Sequence, residues 1–365
     1  MNDLYIGLMS GTSLDGADGV LVDFSSPKLH VLANASQAFT SDFRTELLAL
    51  NSPSPNELHR AALAANQLAE VYAEVVNALL HETGLAVKDI HAIGAHGQTV
   101  RHQPASGYST QLNNPALLAE RTGIDVVADF RSRDVAAGGQ GAPLVPAFHQ
   151  SVFGKPGTCT LALNLGGIAN LSVLPAAGHA LGFDCGPGNA LMDAWCHQHT
   201  GEHFDEGGQW AASGQLIDAL LAHLLDEPYF SMPPPKSTGR DLFSMAWLAE
   251  KLEPFAEQRP EDVQNTLTEF TARACISGAS SYLKNSKELI VCGGGAFNQY
   301  LMQRLQAGLP SLQVVSSSTH GLPPLQVEAL AFAWLARQTT LRLPGNLPSV
   351  TGAAGLRVLG AIYPA

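Results

Sequence analysis

Residues 4–24, LYIGLMSGTSLDGADGVLVDF, read as two β-forming runs, LYIGLM and ADGVLVDF, on either side of a polar glycine loop. The same shape returns at 158–165 (TCTLALNL), which breaks into Gly166-Gly167-Ile168-Ala169-Asn170 and then LSVL. A second pair also matches, because IHAIGAHGQT (90–99) and ELIVCGGGAFN (288–298) are each a buried-type strand ending in a polar or glycine-rich turn. Two halves of parallel content predict a duplicated α/β domain around a cleft.

Between these strands lie helices. The strongest is expected over 55–82, with Ser54 and Glu57 as a capping box, Pro55 at N1 and Gly84 beyond the end. Its core-facing stripe runs from Leu58 through Ala61, Leu68 and Val75 to Leu79. Asn114 and Pro115 open another helix that stops at Gly123, and a strand at 124–128 follows. The polar stretch RSRDVAAGGQGAP (131–143) is the expected domain crossing, so residues 1–128 are expected to form the first domain and 129–365 the second, with the alternative that the C-terminal segment packs back on the first.

Composition narrows the function. The 365 residues carry a formal charge of −12, which disfavours nucleic acid and anionic membranes as partners. Five cysteines with no CxxC give neither a disulfide framework nor a zinc ribbon. The N-terminus has no basic run before its apolar stretch, and no window is apolar enough to span a bilayer, so a cytoplasmic enzyme is expected.

The loop Gly11-Thr12-Ser13-Leu14-Asp15-Gly16 has the glycine spacing of a P-loop, but Ala17 stands where the lysine should be. Its backbone N–H groups and hydroxyls suit phosphate oxygens, with Asp15 and Asp18 as outer-sphere partners of Mg²⁺. An ordinary hairpin turn explains it equally well on its own. The opposed loop at Gly166, Gly167 and Asn170 favours a nucleotide. Gly293-Gly294-Gly295 lies between a strand and an amphipathic helix (Phe297, Leu301, Leu305), and it removes the β-carbons that would keep an adenosine off the backbone.

Asp184, expected at a strand end in FDCGPGN, is the candidate catalytic acid, and a helix cap is the alternative. Asp129 is another strand-end acid, beside Arg131 and Arg133, which suit a carboxylate or phosphate. His96, Gln98, Thr99 and Arg101 supply polar groups at a third strand end, and the mixture fits a sugar acid. No metal site is assigned, because His197, His199 and His203 lack a ligand motif. Lys236-Ser237-Thr238-Gly239 resembles the K-T-G of penicillin-recognising enzymes, but in the wrong order relative to S-x-x-K at 281–284, and is set aside.

Eight ordered motifs then point one way: GLMSGTSLDGADGVLVDF, HGQTVRHQP, ADFRSRDVAAGGQGAPLVPAFH, LNLGGIANLS, GFDCGPGNALMD, PPKSTGRDLF, CGGGAFN and VEALAFAWLA. From end to end the chain resembles the anhydro-N-acetylmuramic acid kinases of the actin, sugar-kinase and heat-shock ATPase superfamily. The resemblance implies two ribonuclease-H-like, actin-like ATPase domains around a nucleotide cleft. It implies ATP and Mg²⁺ as cofactors and an anhydro-amino sugar as substrate. Gly11 to Asp18 would be the ATP phosphate loop, Asp184 the catalytic base, and His96, Gln98, Thr99, Arg131 and Glu328 sugar contacts. Cys185 departs from the Thr expected in most members, and Leu325-Gln326 from the acidic residues frequent before Glu328. A plain sugar kinase and a non-catalytic actin-like sensor are the competing readings, and a homodimer is expected.

Overall fold

The computed structural model describes residues 3–11, 14–26, 28–234, 236–239 and 242–365. They form two compact units, Met1–Val152 with Gln326–Ala365, and Phe153–Leu325. The first division falls at 152/153 rather than at 128/129, and the C-terminal segment from Gln326 joins the first unit, the alternative expectation. The reason is Asp134, fully buried, which accepts from Gly141 N (2.8 Å), Asn346 Nδ2 (2.7 Å) and Thr351 Oγ1 (2.8 Å). Those bonds hold the expected crossing, 131–143, inside the first unit.

The first unit contains β1 (Leu4–Met9), β2 (Gly16–Asp23), β3 (His30–Ala38), β4 (Ala92–Ala95), β5 (Gln98–Gln103), β6 (Tyr108–Leu112) and β7 (Val126–Ala128). The second contains β8 (Cys159–Leu165), β9 (Ile168–Leu174), β10 (Leu181–Pro187), β11 (Ser286–Cys292) and β12 (Gln313–Ser316), and β13 (Ala361–Tyr363) returns to the first. One sheet runs β13-β7-β4-β1-β2-β3 and the other β10-β9-β8-β11-β12. In each, three antiparallel strands in meander (β1-β2-β3, β8-β9-β10) are extended by two parallel ones (β4-β7, β11-β12). The duplication read in the sequence is therefore a topological repeat of the ribonuclease-H-like kind, and the paired segments occupy equivalent strands.

Sequence explains the central strands. The side chains of β8 are buried on both faces, so it is apolar but for Thr160 and Asn164, whereas the edge strand β3 is largely exposed. Gly7 and Gly94 let the helix Val327–Thr340 lie directly on β1 and β4, since β-carbons there would meet the carbonyl oxygens of Ala329 and Phe332. Glu328 is thereby placed at the start of that helix.

The long helix runs Glu57–Thr83. It starts from Asn56, in left-handed conformation (φ 57°), without a side-chain cap, while Ser54 accepts from Arg60 Nη1 (2.8 Å). The expected capping box is thus absent, and Leu58, in the first turn, is 89% exposed instead of core-facing. The second expected helix, Pro115–Thr122, has both predicted ends: Asn114 Oδ1 accepts from Leu117 N, and Gly123 closes it. Among the described residues no helix is long and apolar enough to cross a membrane.

Candidate active site

At the strand ends of the first unit, two turns are tied together. Ser10 Oγ donates to Gly97 O (3.1 Å), and Gln98 Nε2 donates to Gly11 O (3.2 Å). His96, buried beside Phe332, accepts a hydrogen bond at Nε2 from Arg131 Nη2 (2.8 Å), while Arg131 Nη1 donates to Gly141 O (2.7 Å). Because a guanidinium only donates, the imidazole is neutral with its proton on Nδ1. Burial, then the Arg131 charge, pushes its pKa down to about 3. Burial also lowers Arg131, to about 10. Glu328 is raised by burial and by Asp18, and drawn back down by Arg131.

Several polar atoms here are buried without a partner: His96 Nδ1, Gln98 Oε1, Arg131 Nε, Asn113 Oδ1 and Gln326 Oε1. Leaving each unpaired costs about 1–3 kcal/mol unless a ligand or water completes it. Such a concentration marks a polar binding site. Asn113 was not visible as a member in the sequence, where NNP carried only a helix start. Thr99 Oγ1 accepts from Gln111 Nε2 (3.1 Å), and Arg101 is committed to Glu57 (2.7 Å), so Arg101 leaves the group.

The phosphate-loop residues divide. Thr12 and Ser13 lie outside the described residues. Leu14 and Ala17 are buried, so their side chains serve the core. A β-carbon at Gly16 would lie 2.4 Å from Gln37 O, which makes that glycine a requirement of the β2–β3 pairing. Asp15 faces Arg44 (3.4 Å) in the open, and Asp18, exposed, accepts from Ser36 Oγ (2.6 Å). Among the described residues no group of three His, Cys, Asp or Glu side chains could hold a metal alone.

In the second unit, Asp184 lies inside β10 rather than at its end. It faces Asn170 of β9, next to a bulge that shifts the register before Gly186. Segment 236–239 covers it: Asp184 N donates to Lys236 O (3.0 Å), and Thr238 N donates to Asp184 Oδ2 (3.0 Å). Tyr229 Oη donates to the Asp184 carbonyl (2.7 Å), and Lys236 Nζ sits 4.4 Å from the Tyr229 ring centre. Burial raises the Asp184 carboxyl to about 6, against the pull of the Thr238 N–H. The helix Ala190–Thr200 begins at Asn189 without a side-chain cap, so Asp184 is not capping it. The segment set aside as an accidental K-T-G is the cover of this carboxylate.

Gly166 and Gly167 carbonyls receive the N–H groups of Asn189 (2.8 Å) and Gly188 (2.9 Å). Gly293 and Gly295 fit against the β8 end, where β-carbons would meet Asn164 Oδ1 at 2.6 Å and Leu165 Cβ at 2.5 Å. Gly294, where a β-carbon would make only ordinary contacts with Asn189 Nδ2 (3.4 Å) and Leu325 Cδ2 (3.9 Å), lines a cavity of about 590 Å³ with Asn189, Phe297 and Leu325 in its wall. Phe297 is 56% exposed there, off the Leu301–Leu305 stripe on which it was expected.

Two repeated α/β units, one holding unpaired polar groups and the other a carboxylate raised towards neutrality, have the makings of an enzyme of small polar molecules. Residues 3–365 match the model of the anhydro-N-acetylmuramic acid kinase family, and the chain belongs to that family. Proteins of that name from Albidiferax ferrireducens (62% identical, all of both chains) and Variovorax paradoxus (61%, 100% of this chain and 99% of the other) are similar over their length. One from Nitrosomonas europaea is 53% identical over 99% of each. The chain is accordingly a kinase that uses ATP.

Proposed function

We propose that the chain opens the 1,6-anhydro bridge of 1,6-anhydro-N-acetylmuramic acid with water and phosphorylates O6 at the expense of ATP, giving N-acetylmuramic acid 6-phosphate for cell-wall recycling. The observation that carries the reading is Asp184: half-buried, raised to about 6, and bound through Oδ2 to Thr238 N among the described residues. A carboxylate so placed is ionised at neutral pH yet basic enough to accept a proton.

Water attacks C1 and gives its proton to Asp184. The C1–O6 bond breaks, O6 takes the γ-phosphoryl group in line, and the bond to the β-phosphate oxygen breaks to leave ADP. Because O6 is captured by phosphorus, no general acid is needed, unlike ordinary glycoside hydrolysis. Arg131 and Gln98 bind the lactyl carboxylate and ring hydroxyls, with neutral His96 orienting the guanidinium and Thr99 beside them. Gly294 and the cavity beside it take the adenosine, with Gly293, Gly295, Gly166, Gly167 and Asn170 shaping the backbone around it. The turn from Gly11 to Asp18 takes the phosphates.

Mg²⁺ belongs to the same proposal. Asp18 lies near enough to Glu328 to raise its proton affinity, the chemistry a hard cation relieves, and the two oxygen donors are too few to hold it without nucleotide and water. Asp18 and Glu328 would hold the ion, which supplies charge neutralisation at the phosphoryl oxygens. A homodimer, checked by light scattering, and a cytoplasmic setting, checked by fractionation, complete the reading.

The test is a mass-spectrometric assay in ¹⁸O-water with anhydro-sugar, ATP and Mg²⁺. Label at C1 of a 6-phosphorylated product is expected. Phosphorylation without label would make the chain a plain sugar kinase, and sugar-independent silence of ADP release would make it a sensor.

A further inference from the structure

Arg131 and Arg133 are two residues apart, and the short helix Ser132–Ala136 sends them to different places. Arg131 turns in to His96 and Gly141. Arg133 opens onto a shallow recess of about 450 Å³ in the first unit, together with Arg342, Ser132, Asp129 and Val358. None of His96, Gln98, Arg131 and Glu328 lines it.

The charges in this recess are unusual for the chain. With a net −12, acids outnumber bases, and Arg44, Arg60, Arg101, Arg121, Arg259, Arg273, Arg304 and Arg337 each face a carboxylate. Among the described residues the Arg133 and Arg342 side chains have neither an ion-pair nor a hydrogen-bond partner. Asp129, the carboxylate of the recess, is turned to Ser132 Oγ at 2.5 Å. Arg342 (φ 57°) and Asp129 (φ 60°) are, among the described residues, two of four non-glycine residues with left-handed backbone, a conformation that costs about 1 kcal/mol or more unless the surroundings require it.

We propose that this recess is a second binding site, for a small phosphate-bearing metabolite. The phosphoryl oxygens are taken by Arg133 and Arg342, and a hydroxyl of the ligand by the free oxygen of Asp129. A carboxylate is satisfied by one guanidinium fork, whereas a phosphate dianion, with three terminal oxygens, engages two. The acidic field of the whole chain disfavours a polyanion such as nucleic acid or an anionic bilayer, which leaves a small anion. Val358, Ala136 and Ala361 give the recess small apolar walls beside the charges.

The test is calorimetric titration of the full chain with inorganic phosphate and, separately, glucosamine 6-phosphate, on wild type, Arg133→Gln, Arg342→Gln, the double variant and Arg131→Gln. Saturable binding is expected, weakened about tenfold or more by each single change in the recess and lost in the double, with Arg131→Gln near wild type. Tighter binding of the sugar phosphate identifies a phosphosugar as the ligand, and equal affinity identifies free phosphate. Should the double variant not fold, Arg133→Lys and Arg342→Lys keep the charge and lose the fork, and each should still weaken binding. Wild-type affinity in the recess variants, loss of binding in Arg131→Gln alone, or no saturable binding at all overturns the proposal. So does a change in light scattering without a change in phosphate affinity, which would make the arginines a contact between copies. None of these outcomes depends on turnover, so failure here leaves the catalytic reading untouched.

Discussion

The two sheets share one strand order, yet their third strands, β3 and β10, have opposite fates. β3 is an exposed edge, and Asp18, on the neighbouring β2, is exposed and accepts from Ser36 Oγ. β10 is covered by segment 236–239 and by Tyr229, and its carboxylate, Asp184, is half-buried and raised to about 6. The two carboxylates sit one strand apart in the repeat, Asp184 on the third strand of its sheet and Asp18 on the second, opposite Ser36 of β3. What turns one of them into a base is a covering segment that removes water. At the other strand ends the first unit holds the unpaired polar atoms of His96, Gln98, Asn113 and Arg131, while in the second Gly293 and Gly295 pack against β8 and Thr238 Oγ1 is left unpaired.

The largest effect that can break this comparison is Asp184→Asn. Loss of a general base costs roughly 10² to 10⁴ in rate, and coupling of ring opening to phosphoryl transfer places this case at the upper end. Calorimetry should show sugar and nucleotide still bound to a variant that yields neither ADP nor opened ring, whereas turnover within a few-fold of wild type would remove Asp184 from the mechanism. In the wild type, kcat/KM should rise with pH through about 6 as the carboxyl ionises. The sign for stability is opposite. The folded state holds this proton up to about 6 and the unfolded state only to the ordinary 3.8, so native stability falls as pH rises between them. Asp184→Asn should therefore be more stable than wild type by roughly 1–3 kcal/mol at about pH 8, with the gain fading towards about pH 4. A destabilised variant at the higher pH contradicts the burial argument.

Next in size is a pair of glycine substitutions. Gly16→Val puts a β-carbon 2.4 Å from Gln37 O, and by overpacking should cost roughly 1–3 kcal/mol of stability in a urea melt, whatever happens to nucleotide. Gly294→Val has 3.4 Å to Asn189 Nδ2 and 3.9 Å to Leu325 Cδ2, both ordinary contacts. It should stay within about 0.5 kcal/mol of wild type while ATP affinity falls about tenfold or more. If the two variants exchanged behaviours, the second glycine cluster would be scaffold and the first the ligand surface.

A smaller effect is expected from His96→Phe, which keeps the ring against Phe332 and removes the acceptor of Arg131. Stability should drop by about 1–2 kcal/mol, and KM for the sugar should rise about tenfold with kcat little changed. Since His96 titrates near 3, the wild-type KM should not bend near the usual histidine range. A bend there, lost in the variant, would show a charged imidazole in the site.

Much of this was legible because the two loops, LYIGLMSGTSLDG and TCTLALNLGG, punctuate buried strands with glycine, and punctuation survives without tertiary information. Burial by distant chain does not. Nothing near Asp184 in sequence announces that Lys236 and Thr238, some fifty residues on, will cover it. Nor does RSRD show that its first arginine turns inward and its second outward, since neighbouring positions of a short helix face different ways. The capping box at Ser54 failed for a related reason: Arg60 takes the hydroxyl, and the helix starts two residues later.

The smallest expected effect separates the two arginines that the sequence placed together on the sugar. Arg101 pairs with Glu57 at 2.7 Å, with side chains 22% and 32% exposed, and its Nε donates to Asn51 O (3.2 Å). Such partly solvated pairs are worth about 0.2–1 kcal/mol and weaken with salt. Arg101→Ala should therefore lower stability by about half a kcal/mol at low ionic strength, less in high salt, and leave kcat/KM within about twofold. Arg131→Ala, by contrast, removes a buried cation whose Nε awaits a partner, and should raise the sugar KM strongly. A tenfold loss of kcat/KM in a stable Arg101→Ala would mean that the Glu57 pair breaks when sugar binds, and that the first unit gathers one more group around its substrate than its resting hydrogen bonds disclose.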